Sequence, residues 1–180
     1  MHPFRKLAVA AGLALAVATP VAAHAEATLK ETQAAIAALK KADPGLKKFF
    51  DKAAGYAVFP DIGKGGFIVG GAGGSGFLFE GGKAIGKTTM AQATVGAQIG
   101  GQTYVEVIFF ETKEALAAFK KGEWTMAAQV SAVVVKSGAS ADAKYNDGVA
   151  VFTMPKAGAM AEASIGGQKF TYTPNGAKKK

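Results

Sequence analysis

Two glycine patterns in this sequence have the spacing of phosphate-binding loops. Gly81-Gly82-Lys83-Ala84-Ile85-Gly86-Lys87-Thr88 fits GxxxxGK[ST], in which backbone N–H groups and a lysine cradle phosphates. Downstream, Val107-Ile108-Phe109-Phe110-Glu111 imitates the apolar strand that ends in a metal-holding acid. Gly71-Ala72-Gly73-Gly74-Ser75-Gly76 fits GxGxxG. Both chemistries need a helix directly after the glycines, so that phosphate meets the helix N-terminus. Neither pattern has one. Phe77-Leu78-Phe79-Glu80 continues the second pattern as an alternating aromatic strand, and the next acid after Glu80 is Glu106. A ribose-binding acid would stand about 20 residues on. After the first pattern come Thr88, Thr89, Thr94, Val95 and Gly96, where helix formers should be. Both patterns are expected to be turns and strands, the second a glycine-rich hairpin.

Other reaction chemistry is removed by composition. The 180 residues contain no Cys, and the two histidines (His2, His24) and the arginine (Arg5) all lie in the first 25 positions. Those positions carry a basic start (Arg5, Lys6), the apolar run LAVAAGLALAVA and a small-x-small end at Ala23-His24-Ala25. They are expected to be a secretory signal, since the run is too short for a membrane span of about 20 residues. Beyond it there is no His or Cys for a thiol nucleophile, a zinc site or a Ser-His-Asp relay. There is no Arg for bidentate recognition of guanine or phosphate, so no specific nucleic acid is expected. A lipid anchor at the signal junction would need a Cys. The expected location is therefore periplasmic or secreted. Glu106 and Glu111 could pair as acid and base, but Glu106 alternates with Val105 and Val107 and is expected to point outward into water. No enzyme, cofactor or metal is expected.

Positive charge is what remains. The formal net charge is +8, of which Arg5 and Lys6 account for two. Residues 28–42 place Leu29, Ile36 and Leu39 at helical spacing, and Pro44-Gly45 breaks the helix. A second amphipathic stretch, 46–53, carries Leu46, Phe49 and Phe50. Lys40, Lys41, Lys47, Lys48 and Lys52 crowd this junction. They form either a solvated face over a core-facing helix or a basic amphipathic surface for anionic lipid, with Phe49 or Phe50 at the headgroup boundary. From residue 56 the pattern changes to short β-type runs at 56–59, 66–70, 76–80, 88–99, 103–110, 124–136, 149–154, 159–165 and 168–173. The 24 glycines suggest turns, bulges and close backbone approach. Thr112 should cap a helix over 113–121 that Gly122 stops, and 137–147 should be a surface loop. The fold class is α+β: a bent antiparallel sheet or partly closed barrel, with an N-terminal helical segment and one further helix. Residues 26–180 form a single domain, with Lys178, Lys179 and Lys180 a disordered tail.

The stretch AGYAVFPDIGKGGFIVGGAGGSG, residues 54–76, resembles the opening signature of the SYLF domain, the Ysc-type actin-binding domain. The resemblance continues through Val95-Gly96-Ala97-Gln98-Ile99-Gly100-Gly101-Gln102, residues 105–110, Ala118-Phe119-Lys120-Lys121-Gly122 and the final hairpin. It covers roughly residues 28–173. It departs at Ile85-Gly86-Lys87-Thr88-Thr89, where the family often carries an aromatic and a W-S-x-P-like stretch. The resemblance implies a lipid-binding rather than catalytic module; eukaryotic members bind phosphoinositides and some bind actin.

Together these readings give a non-catalytic protein that meets anionic phospholipid through Lys40, Lys41, Lys47, Lys48, Phe49, Phe50 and Lys52, with Lys64 of a K-G-G-F turn as an addition. The alternative is a structural or protein-interaction module of the cell envelope with no lipid ligand. ATP with magnesium should leave the melting temperature unchanged, and Lys87→Ala should leave the fold intact. A nucleotide at about a hundredfold excess over its Kd would stabilise by about 2.7 kcal/mol, so a clear upward shift would reveal a nucleotide site.

Overall fold

A computed structural model describes residues 26–66, 69–95, 102–122, 132–157 and 167–177. Helix α1 (Leu29–Ala42) opens on a capping box. The Thr28 hydroxyl accepts from Glu31 N–H, and the Glu31 carboxylate accepts from Thr28 N–H at 2.8 Å, so two otherwise orphaned donors are satisfied. Pro44–Leu46 forms one 3-10 turn, and α2 (Lys47–Lys52) follows it. Helix α3 (Lys113–Lys121) is capped by Thr112 and stopped by Gly122 at φ +70°. These are the bounds expected from its capping residues.

Among the described residues seven strands make one sheet: β1 (Gly55–Gly66), β2 (Val69–Glu80), β3 (Lys83–Val95), β4 (Gln102–Phe110), β5 (Val133–Val134), β6 (Val149–Ala157) and β7 (Lys169–Pro174). Their order is β5-β6-β4-β1-β2-β3-β7. All neighbours are antiparallel except β5 and β6, so the sheet is mixed, and it is not closed. The fold is α+β with an N-terminal helix, as the sequence implies.

Both faces of the central strands are buried. On β4, Tyr104, Ile108 and Phe110 join one core with Phe59, Leu116, Phe119 and Phe170. Val105, Val107 and Phe109 join the other with Leu39, Leu46 and Phe49. The second core lies under α1 and α2, the first under α3. The sheet also curls. The Gln168 amide, just before β7, donates to Glu106 Oε2 on β4 at 3.0 Å, although β4 and β7 are four pairings apart. In a flat sheet they would be about 19 Å apart. Phe170 of β7 likewise stands 5.8 Å from Phe59 of β1 and 5.3 Å from Phe119 of α3, ring centre to ring centre.

The curl explains the glycines. The GxGxxG stretch lies inside β2, the return strand of a glycine-rich hairpin with β1, and it also pairs with β3. A Cβ on Gly76 would stand 2.0 Å from the Val58 carbonyl oxygen, and one on Gly74 2.6 Å from that of Asp61. These glycines let β2 approach β1 where β1 bulges between Val58 and Asp61. The other pattern is a two-residue turn at Gly81 and Gly82, with φ +57° and +77°, and Lys83 to Thr88 run into β3 with no helix. Lys64 is not on a turn either. It lies within β1, paired with Ala72 and Gln102, because β1 runs unbroken to Gly66. Of the expected strand over 124–136, only Val133–Val134 is among the described strands, and 159–165 lies outside the described residues.

Gly76→Ala should cost about 1–3 kcal/mol, because the obstructing atoms are backbone and cannot turn aside. Chemical denaturation measures this. A neutral effect would mean that β1 and β2 separate at this point.

Candidate functional site

The lysine-rich junction is built by helix ends. Lys40 and Lys41 occupy the last turn of α1, where cations complement the helix dipole. Lys47, Lys48 and Lys52 lie on α2. All five are exposed. The two phenylalanines separate. Phe49 is 4% exposed and packs on Phe109 and Phe152, with ring centres 5.4 and 5.0 Å away. It is a core ring. Phe50 is half-buried, edge-on to Tyr56 and Phe109, and the Lys40 ammonium sits 4.5 Å from its ring centre. Lys47 pairs with exposed Asp51 one turn on, a contact of little energetic weight. Lys64 belongs elsewhere: nine residues separate it from Gly55, about 30 Å along β1.

A second segment completes the site. Asp43, 1% exposed, accepts from Gly45 N–H at 3.0 Å and from Ser140 N–H at 2.7 Å. Burial pushes its carboxyl up, but the N–H groups of Ser140 and Gly45 outweigh that and hold it below the usual carboxylate range. This clasp brings the loop at 137–147 against α2. Lys48 then donates to the Ala141 carbonyl at 3.3 Å and lies 5.2 Å from the Phe49 ring centre. Together they enclose a cavity of about 400 Å³ lined by Lys48, Phe49, Lys52, Glu111, Ala143, Lys144 and Tyr145. Burial, and secondarily Glu111, pushes the Tyr145 phenol up to about 12, so it is a neutral O–H donor at ordinary pH. Lys144 and Tyr145 are not among the residues that the sequence proposes for the site. Their only sequence signal is a lysine beside an aromatic in a loop of small residues.

Glu106 corrects another expectation. It does not point to water; it is fully buried, because both faces of β4 are covered. Gln168 holds Oε2, Oε1 has no partner, and Thr153 lies directly across on β6. Burial pushes the Glu106 carboxyl up to about 7, and the Gln168 amide partly offsets this. Glu106 is thus sealed inside while Glu111 lines the exposed cavity, so the two do not share a cleft as acid and base. Among the described residues no group of three His, Cys, Asp or Glu could hold a metal ion, and no helix is long and apolar enough to cross a membrane.

Comparison of the sequence with known proteins points to a family. Residues 91–178 match the family model described as Ysc84, Las17-binding protein actin regulator. Residues 91–178 thus carry a Ysc84-type, or SYLF, domain match. It is also similar to Beta cell expansion factor A of Aeromonas veronii, at 37% identity over 130 residues, 71% of this chain and 49% of that protein. The chain spans about half the length of this relative. SYLF domains are binding domains and are not known for catalysis, so the family supports a non-enzymatic binding module. The matched SYLF segment contains Glu106, α3, Lys144 and Tyr145; α1 and α2 precede it.

A buried acid with a raised pKa makes the fold more stable in acid. Its contribution is fully present below the unfolded-chain value near 4.5 and is lost as pH rises through about 7. The melting temperature should fall between these values. Glu106→Gln should flatten that segment and raise stability at pH 8. An unchanged profile in the variant would place the titrating group elsewhere.

Proposed function

We propose that this protein binds anionic phospholipid at a membrane surface, with a headgroup seated in the cavity between α2 and the 137–147 loop. One observation carries the reading: Lys48 and Lys52 from α2 and Lys144 from a distant segment converge around a floor made by Phe49 and Tyr145. With Glu111 as the acid in the lining, the cavity has a net positive charge. Lysine ammoniums act as point charges on flexible stems, so selectivity among anionic headgroups would be broad. The Tyr145 O–H supplies a donor for a headgroup oxygen. Lys40, Lys41 and Lys47 flank the cavity's helix and add long-range attraction, while half-buried Phe50 is the ring placed to meet the headgroup boundary. The reading also takes 1–25 as a secretory signal and 26–180 as one domain, which places the protein in the periplasm or outside the cell.

Co-sedimentation with vesicles, zwitterionic alone or mixed with phosphatidylglycerol, tests it at low and high salt. Binding should require the anionic lipid and weaken with salt. At roughly 1 kcal/mol per lysine, Lys48→Gln, Lys52→Gln and Lys144→Gln together should weaken it by about two orders of magnitude. Lys113→Gln with Lys121→Gln, on α3, should change little. Equal loss from both sets would reduce the effect to net charge. Absence of vesicle binding would favour the alternative, a protein-interaction module of the envelope; the Ysc84 description of a Las17-binding actin regulator is a precedent for a protein partner.

A further inference from the structure

A second cavity lies between α1 and the sheet, and its chemistry differs from that of the basic site. It measures about 500 Å³, within the range of small-molecule sites. Ala34, Ala35 and Ala38 of α1 form one wall, and Val105 and Met154 of the sheet form the other. All are apolar, and the three alanines are small enough to leave the space open. At its mouth stand Glu31, Asp61 and Lys156.

Two strand irregularities converge here. β1 shifts register between Phe59 and Ile62 against β4, and β6 shifts between Pro155 and Ala157 against the same strand. Ala57, Phe59 and Ile62 all belong to the α3-side core, so the bulge flips the alternation and turns Pro60 and Asp61 toward α1. Lys156 sits in the opposing irregularity. It reaches back across β4 to Asp61 Oδ2 at 3.0 Å and to the Pro60 carbonyl at 3.4 Å. Its charge is therefore answered within the protein. Asp61 Oδ1 is buried and has no partner, although the side chain as a whole is about half exposed, and the terminal torsion of an aspartate turns at little cost to present it to the cavity. Glu31 adds a second carboxylate, so the mouth holds two acids against one base.

We propose that this cavity binds a primary ammonium carried on a saturated chain: the chain between the alanine wall and Val105–Met154, the ammonium at Asp61 and Glu31. The inference is independent of the vesicle reading, since it concerns a different face and opposite charge. The ammonium could belong to a free alkylamine or to an ethanolamine head on a single acyl chain.

Isothermal titration of the full chain, without vesicles and below micelle formation, compares dodecylamine, dodecanol, dodecanoate and a lysophosphatidylethanolamine. Dodecylamine should bind saturably at one site, about tenfold or more tighter than dodecanoate. Asp61→Asn should weaken the amine about tenfold and leave dodecanol unchanged. Ala38→Leu, at an exposed helix position, should abolish binding of all probes while the melting temperature holds. If lysophosphatidylethanolamine shows the same response to both variants, the natural source is a lipid; if only dodecylamine does, it is a free amine. Equal uptake of amine, alcohol and carboxylate, or binding indifferent to Ala38→Leu, would overturn the proposal.

Discussion

The central strands β1 and β4 bury both faces, and most of the architecture answers that one constraint. A strand with a single buried face needs one cover. Here Tyr104, Ile108 and Phe110 need one cover, and Val105, Val107 and Phe109 need another. At about 1.5–3 kcal/mol per large apolar side chain, neither set can be left to water. The helix pair α1–α2 covers one side. On the other, α3 and the inward curl of β7 do so together. The curl in turn demands that β1 and β2 approach more closely than side chains permit, and glycine is the residue that allows it. The glycine-rich composition is thus a packing requirement of a doubly covered sheet.

Much of this is legible in the sequence, but in uneven measure. Helix ends are local events: Thr112 and Gly122 bound α3, and Thr28 with Glu31 opens α1, without reference to anything distant. The phosphate-loop patterns can be dismissed on equally local grounds, since the residues after the glycines do not start a helix. Strand extents are harder. Apolar runs mark where side chains pack, yet Gly63, Gly65, Gly71 and Gly73 are paired strand residues with no side chain to signal it. A reading based on apolarity therefore breaks β1 and β2 into shorter pieces and places Lys64 on a turn.

Glu106 and Lys144 escape such a reading for a related reason. Alternation predicts an outward residue only when one face is wet, and β4 has no wet face. Nothing within β4 itself announces the arrival of Gln168 from the far edge. Lys144 lies nearly a hundred residues from Lys48 along the chain, so no spacing rule joins them; Asp43 does, by accepting from the Ser140 N–H. The helix charges are visible in the sequence and the shape of the site is not. Charge of opposite sign then gathers on the two flanks of the same helical cover, basic beside α2 and acidic beside α1. The SYLF match takes in the loop half of the basic flank but not its helical half.

The Asp43 clasp has a consequence for how the proposed lipid site would meet a headgroup. The loop cannot swing away from α2 without taking the Ser140 N–H from a nearly inaccessible carboxylate, so the two halves are held together before anything arrives. The ordering entropy that a floppy lysine loop would surrender on capture has already been spent during folding. Were such a surface to meet a target, its backbone would arrive already in place, and only the exposed lysine stems would be left to adjust.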